Sequence, residues 1–139
     1  MTTTADRYTL VFPARPEYLL LARLALTGVA RLVAVDEEAL ADLRLAVTEA
    51  AANACRHAYE EGAGDVTVHL SLGSDDVIEV IVEDDGPGFD ETTVDDWDAA
   101  ALDEDGMGLA IIRAVADEVE IGTRGSGSGT RLRFTRSLR

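Results

Sequence analysis

Cysteine, lysine and aromatic residues are scarce in this 139-residue sequence. Cys55 is the one cysteine, so neither an intrachain disulfide nor a cysteine-rich metal site is available. Lysine is absent, and acidic residues outnumber basic residues by 27 to 12, which gives a net charge of −15. Proteins that bind duplex nucleic acid or anionic lipid rely on basic side chains. We therefore expect no direct nucleic-acid partner and no membrane partner, and basic protein surfaces fit this charge better.

The length and the hydrophobic content suit a single globular domain. Hydrophobic residues make up 47% of the chain and aromatic residues only 5%, so the core is built mainly from Leu, Val, Ile and Ala. We expect one domain over residues 8–136, with residues 1–7 as a flexible N-terminus. The first residues lack the basic and apolar regions of a signal peptide, and the apolar stretches are shorter than a membrane span. A cytoplasmic location is the expectation.

Hydrophobic periodicity predicts strands and helices in alternation. The predicted strands cover Tyr8–Phe12, Val66–Leu70, Val77–Val82, Val119–Thr123 and Arg131–Phe134. The predicted helices run from Pro16 to about Ala34, from an N-cap at Asp36 to about Tyr59, and from Gly106 to Ala116. Residues 90–105 carry eight acids and no base, and we predict that they form a mobile loop.

Three polar residues, Glu49, Asn53 and His57, recur at every fourth position of the second predicted helix. Residues four apart lie about 40° apart around a helix axis, so the three side chains share a face. An asparagine offers an oxygen to a hard cation such as Mg²⁺, and a glutamate can orient or deprotonate a nucleophile. A hydrogen-bonded contact between helices explains the same spacing, and the pattern alone favours that structural explanation.

Two glycine-containing segments flank the predicted acidic loop. Asp84-Asp85-Gly86-Pro87-Gly88 directly follows a strand, where glycines permit a tight turn and the close approach of a flat ligand. Gly106-Met107-Gly108-Leu109 opens a helix, where free backbone N–H groups and the helix dipole favour phosphate. Each segment also fits an ordinary turn or loop-to-helix junction. The second matches neither the P-loop pattern nor the dinucleotide-binding fingerprint.

A third glycine-rich segment, Gly127-Ser128-Gly129-Thr130, leads into the last strand. A hairpin turn explains the glycines, whereas Thr130 offers a hydroxyl. Taken together, the order and spacing of the four patterns resemble the ATP-binding fold shared by gyrase, histidine kinases, mismatch-repair ATPases and Hsp-type chaperones. The resemblance extends from about Tyr8 to Phe134. The run from Ala46 to Tyr59 is most similar to the small bacterial anti-sigma factor serine/threonine kinases.

The resemblance implies a two-layer α/β sandwich, in which a mixed, mostly antiparallel sheet is covered on one face by about three helices. It implies that Asn53 chelates Mg²⁺ on the phosphates of ATP and that Glu49 is the general base for a substrate serine. It also implies that Asp84 reads the adenine amine. The other implied nucleotide contacts are Gly86 and Gly88 in the adenine pocket, Gly106, Met107, Gly108 and Leu109 around the phosphates, and Thr130 at the adenine, with residues 90–105 as a movable lid. For His57, a phosphate contact and a role at the helix end are both open.

The implied function is that of an anti-sigma regulatory factor, which phosphorylates an anti-anti-sigma antagonist and binds a sigma factor. Family members commonly dimerise, and they often use an arginine near the position of Arg23 against a partner, although a solvated arginine explains Arg23 equally well. One departure concerns Asp103-Glu104-Asp105, which stands where relatives often place a basic residue. These acids leave open a non-catalytic, nucleotide-dependent binding switch. A detached catalytic domain of a histidine kinase is a third alternative.

Overall fold

A computed structural model describes residues 6–60, 64–73, 75–85, 104–123 and 129–139. Within these ranges the chain forms five strands, three α-helices and one 3₁₀ turn. In chain order they are β1 (Asp6–Pro13), the 3₁₀ turn (Pro16–Tyr18), α1 (Leu19–Ala30), α2 (Glu37–Glu60), β2 (Asp65–Leu72), β3 (Val77–Asp84), α3 (Glu104–Val115), β4 (Glu118–Thr123) and β5 (Thr130–Ser137).

The five strands form one sheet in the order β1-β2-β3-β5-β4. All four strand pairings are antiparallel, so the described strands contain no parallel pair of the kind that a mixed sheet would include. The predicted fold class, a sheet layered with three helices, is otherwise confirmed. β5 pairs with both β3 and β4, which brings the start of β5 beside the end of β3.

Helices cover one face of the sheet because the strands alternate between buried and partly exposed residues. In β3 the residues Ile78, Val80, Val82 and Asp84 are buried, whereas their neighbours are half-exposed. Three of these four are apolar and belong to the core, to which α2 contributes a further series of small and branched side chains. Asp84 is the exception, since it is a carboxylate at the end of an otherwise apolar row.

The opposite face of the sheet is polar. Arg133 on β5 lies among three carboxylates there, with its Nε 2.6 Å from Glu79, its Nη1 3.6 Å from Glu120 and its Nη2 3.9 Å from Glu118. The hydrogen bond to Glu79 is the main reason why the pKa of the Arg133 guanidinium lies above its ordinary value. This cluster ties the central strand β3 to the edge strand β4 through β5.

The helix boundaries differ from the predicted boundaries at two places. α1 ends at Ala30 rather than near Ala34. α3 begins at Glu104, two residues before Gly106, because acidic residues in a first helical turn interact favourably with the helix dipole. The predicted N-cap of α2 is confirmed, since the carbonyl oxygen of Asp36 accepts a hydrogen bond from the Leu40 N–H at 2.9 Å. Among the described helices, none is both long and apolar enough to cross a membrane.

Candidate functional site

The polar face of α2 contains the first part of the site. Glu49 is half-buried, and Asn53, one helical turn later, is only 5% exposed. The Oδ1 atom of Asn53 has no hydrogen-bond partner among the described residues. Burying an amide oxygen without a partner is unfavourable, and native proteins do so rarely. An oxygen in this condition is suited to a ligand, and a hard cation such as Mg²⁺ is the kind of ligand that amide oxygens coordinate.

Gly108 on α3 is in close contact with the same face of α2. A Cβ atom at position 108 would lie 3.0 Å from Oε2 of Glu49 and 3.8 Å from Nη2 of Arg56. The absence of a side chain at Gly108 therefore allows the Glu49 carboxylate to rest directly against the backbone of α3. The start of α3 and the polar face of α2 form two sides of one site.

Asp84 at the end of β3 and Thr130 at the start of β5 form a second group of predicted site residues. These two residues are register partners, and each is only 2% exposed. Residues opposite each other in antiparallel strands place their side chains on the same face of the sheet. Thr130 Oγ1 has no hydrogen-bond partner among the described residues, and Gly129, just before it, has a positive φ of 83° that suits glycine. The pair presents a carboxylate and a hydroxyl at one sheet end.

Cys55 connects α2 to this strand end. Its thiol is buried in the core, and burial raises its pKa to about 11, with a further contribution from the negative charge of Asp84. The thiol is protonated at neutral pH and is not a nucleophile there.

The combined geometry suits a long, polar, negatively charged ligand. Asn53 and Thr130 each carry a buried polar atom that has no partner among the described residues. A buried carboxylate can accept a hydrogen bond from an amine of a flat heterocycle. The N-terminus of α3 offers backbone N–H groups and the positive end of a helix dipole to phosphate. A carboxylate such as that of Glu49 can accept a proton from a hydroxyl group.

The structure relates five of the residues predicted from sequence in two groups, and a nucleotide contact from Leu109 stays a prediction. Leu109 packs against the hydrophobic core, so its side chain supports α3. Gly106 and Met107 lie in the first turn of α3, but their surroundings, like the side chain of His57, are outside the described part of the chain. Gly86, Gly88 and residues 90–103 are outside it as well. One group is Glu49 and Asn53 on α2 with Gly108 on α3, and the other is Asp84 opposite Thr130 on neighbouring strands.

Sequence reasoning gave too little weight to Arg56, and it did not predict the burial of the Cys55 thiol. Arg56 is exposed, and the sequence patterns assigned it no definite role, yet its guanidinium approaches Gly108 beside Glu49. The position of Arg56 three residues after Asn53 was the available signal, because residues three apart are neighbours on a helix surface. For Cys55 the pattern held no signal, since its proximity to Asp84 depends on how α2 crosses the sheet.

Comparisons with known proteins identify the fold and the family. A family model described as Histidine kinase-like ATPase domain matches residues 12–136. The histidine kinase domain of the blue-light activated histidine kinase from Erythrobacter litoralis superposes with a TM-score of 0.58 at 26% identity, over 99% of this chain and 70% of that one. The RsbU and RsbW domains of Rv1364c from Mycobacterium tuberculosis give a TM-score of 0.71 over 96% of this chain at 21% identity, which shows the shared fold. This chain spans 32% of the length of that protein's chain.

The fold and the site thus define a histidine kinase-like ATPase domain. Within that class, the Serine-protein kinase RsbW of Listeria monocytogenes is 38% identical over 87% of this chain and 82% of its own length. The Serine-protein kinase RsbW of Bacillus velezensis is 36% identical over 99% of this chain and 89% of its own length. The chain belongs to the RsbW family of serine-protein kinases.

Proposed function

We propose that this protein binds Mg²⁺-ATP between α2, α3 and the Asp84–Thr130 strand ends, and that it transfers the γ-phosphoryl group to a serine of a partner protein. Membership of the RsbW family makes the chain an ATP-dependent serine-protein kinase. The observation that carries the assignment of the site is the buried, unpartnered Oδ1 of Asn53, one turn from the Glu49 carboxylate.

The strand ends are assigned to the adenine. The Asp84 carboxylate accepts a hydrogen bond from the exocyclic amine, and the hydroxyl of Thr130 completes the polar contacts from the neighbouring strand. Burial of both residues supports this role, because a desolvated carboxylate discriminates strongly between a ligand that donates a hydrogen bond and one that does not. Gly86 and Gly88 are assigned to the adenine pocket in the same proposal.

The phosphates are assigned to Asn53 and to the first turn of α3. Asn53 supplies an amide oxygen to Mg²⁺, and a bound Mg²⁺ neutralises charge on the phosphate oxygens. Gly106 and Met107 place backbone N–H groups at the helix N-terminus, where phosphate is favoured. The small side chains before Asn53 on α2, Ala50, Ala51 and Ala52, leave room for neighbouring groups to approach the helix.

Glu49 is assigned the role of general base. Its carboxylate accepts the proton of the substrate serine hydroxyl as the serine oxygen bonds to the γ-phosphorus and ADP leaves. The contact with Gly108 fixes the carboxylate beside the α3 backbone, so its position is held by packing between two helices. Positioning and charge stabilisation, rather than covalent catalysis, provide most of the rate acceleration in phosphoryl transfer.

The partners in this proposal are a sigma factor and an anti-anti-sigma antagonist whose serine is the substrate. Arg23 on α1 is exposed, and it is flanked by Leu20 and Leu24, which are 52% and 58% exposed. Exposed leucines beside an arginine provide the mixture of apolar area and charge that protein interfaces use. We assign partner contacts to this side of α1. A homodimer, as commonly found in the family, completes the proposal.

A second candidate function is a nucleotide-dependent binding switch without phosphoryl transfer. The run Asp103-Glu104-Asp105 favours this alternative, because α3 begins at Glu104 and its N-terminal end therefore carries acidic residues where phosphate must bind. Negative charge at this position opposes the negative charge of the transferring group. In this case nucleotide would set the conformation, and capture of the partner would be the whole function.

Phosphorylation of purified antagonist proteins with γ-labelled ATP distinguishes the two functions. We expect the wild type to label one serine, and Glu49→Gln to reduce the rate by about a hundredfold or more, as for loss of a general base, with little change in ATP affinity. Glu38→Gln is the matched control, because Glu38 is an exposed glutamate in the first turn of the same helix. Equal rates for wild type and Glu49→Gln would refute the assignment. Nucleotide-dependent capture of the partner without any labelling would establish the switch.

A further inference from the structure

Asp42 on α2 and Arg136 on β5 form an ion pair between the helix layer and the sheet. Nη2 of Arg136 lies 3.0 Å and its Nε 3.3 Å from Oδ2 of Asp42, and both groups donate to that oxygen. The Asp42 and Arg136 side chains are 27% and 16% exposed, so the pair is largely shielded from water. Nη1 of Arg136 also donates to the backbone oxygen of Ser137 at 2.8 Å. The guanidinium is therefore fixed in direction at a defined point of β5.

This ion pair lies on the face of α2 that carries the predicted site residues. Asp42 precedes Glu49 by seven residues and Asn53 by eleven, and both spacings return to nearly the same side of a helix. At the rise of an α-helix, Asp42 is about 10 Å from Glu49 along the helix axis. The strand on the other side of the pair, β5, begins at Thr130. One ion pair thus joins the helix that holds Glu49 and Asn53 to the strand that holds Thr130.

The apolar packing of the middle of α2 defines the position of this helix only weakly. The buried apolar residues of that stretch are small, and they are Ala46, Val47, Ala50, Ala51 and Ala54. Helices are held in position by side-chain ridges that fit into grooves of the neighbouring surface, and small side chains form low ridges. Gly108, which meets Glu49 where α2 contacts α3, has no side chain to interlock. Directional polar contacts therefore have a large part in fixing how α2 lies on the sheet.

A second contact ties the segment before α2 to the same end of β5. The backbone N–H of Asp36 donates to the carbonyl oxygen of Leu138 at 2.8 Å, and the N–H of Leu138 donates to the carbonyl oxygen of Asp76 at 2.8 Å. These hydrogen bonds hold the residue that caps α2, whereas Asp42 lies within the helix. Because a helix is a rigid element, a contact at Asp42 also constrains the rotation of Glu49 two turns later.

We propose that Asp42 and Arg136 are positioning residues, which hold α2 in the rotation and axial position that place the Glu49 carboxylate for proton transfer. Without the pair, α2 can shift over its small buried side chains. A displacement of about 1 Å at a reacting group is enough to slow a reaction by about a hundredfold. This inference rests on the proposed role of Glu49 as general base.

Steady-state phosphorylation of a purified antagonist protein by the full chain tests the inference. We expect Arg136→Gln and Asp42→Asn each to lower kcat by about tenfold and to change the KM for the antagonist by about twofold or less, because the partner contacts are assigned to α1. Arg136→Lys should keep more of the rate than Arg136→Gln, since it retains a positive charge opposite Asp42. The double variant should be no slower than the slower single variant, because both substitutions remove the same contact.

Arg133→Gln is the matched control for a purely structural role of the ion pair. Arg133 is also a partly buried arginine of β5, and its ion pair with Glu79, at 2.6 Å, lies on the polar face of the sheet away from α2. Loss of that pair should lower the melting temperature and leave kcat at the wild-type value. All proteins are assayed at a temperature at which circular dichroism shows them to be folded, so that a smaller folded fraction does not imitate a lower kcat.

Wild-type kcat in both single variants, an equal fall of kcat in Arg133→Gln, or additive losses in the double variant would overturn the inference. If Arg136→Gln does not fold, the kcat of Asp42→Asn decides. Failure of the proposed function gives a different result, in which the wild type labels no antagonist or Glu49→Gln labels it as fast as the wild type does, and the inference then fails with it. Labelling that requires Glu49 but is unaffected by Asp42→Asn and Arg136→Gln leaves the proposed function intact and refutes only the positioning role.

Discussion

Replacement of Gly108 with alanine adds one methyl group between α2 and α3, directly in front of the Glu49 carboxylate. The new Cβ would lie 3.0 Å from Oε2 of Glu49, whereas ordinary contacts begin at 3.4 Å. The carboxylate must therefore move by about 0.4 Å or more. Because this oxygen is the far end of a flexible side chain, the movement requires little energy. The contact to Arg56 at 3.8 Å is already an ordinary one.

The same substitution should stabilise the fold. Gly108 lies inside α3, and Gly129 is the described glycine for which a positive φ is found, so an alanine at position 108 meets no backbone strain. Alanine in a helix interior is more favourable than glycine by about 0.5–1 kcal/mol. For a domain of this size, that gain raises the melting temperature by about 2–4 °C. We therefore expect greater stability together with slower phosphoryl transfer, by about tenfold, because reacting groups tolerate displacement poorly.

Thermal unfolding tests the expected gain in stability, and initial rates of antagonist phosphorylation on the same preparations test the expected loss of activity. Gly28→Ala is the matched control, since Gly28 lies within α1 and a Cβ there meets nothing within 4 Å. This control should gain similar stability and keep the wild-type rate. Full activity in a stabilised Gly108→Ala variant would refute the claim that Gly108 positions Glu49. A loss of stability in Gly108→Ala would refute the claim that α2 and α3 leave room for an added methyl group.

Two further predictions concern stability. Between pH 9 and pH 11 the unfolded chain releases the Cys55 proton while the folded chain, whose thiol pKa is about 11, retains it, so the free energy of unfolding should fall as pH rises through this window. In Cys55→Ala, the free energy of unfolding from urea titrations should fall less steeply between pH 8 and pH 10.5 than in the wild type. An equally steep fall with pH in both proteins would contradict the raised pKa. Arg133→Gln should destabilise the protein by about 1 kcal/mol, because Glu79 loses a short, partly buried partner and three carboxylates remain close together. The difference should shrink in 1 M salt, whereas a difference that is independent of salt would exclude the electrostatic cause.

Local sequence patterns predicted much of the fold because the relevant signals are periodic. The four-residue spacing of Glu49 and Asn53 placed both on one helix face, and alternation predicted a strand over Val77–Val82, where β3 lies. The position of Asp36 predicted the start of α2 correctly. In each case, neighbours along the chain determine the feature, so the sequence is sufficient.

Features that depend on distant residues were not accessible from the sequence. The order of β5 between β3 and β4 follows from pairing across the sheet, and it alone makes Asp84 and Thr130 neighbours. The contact between Gly108 and Glu49 depends on how α3 packs on α2. The predicted start of α3 at Gly106 was wrong because the acids before it were assigned to a loop, although acidic residues also stabilise a helix N-terminus.

The Mg²⁺ dependence of ATP binding, measured with and without Asn53, tests the proposed site most directly. We expect wild-type protein to bind ATP more tightly in Mg²⁺ than in EDTA, because the buried Oδ1 of Asn53 gains a cation as partner. Calorimetric titration of Asn53→Ala under both conditions should show that this difference is lost while the variant remains folded. A folded Asn53→Ala protein that retains the full Mg²⁺ dependence would contradict the assignment of the nucleotide site to this face of α2.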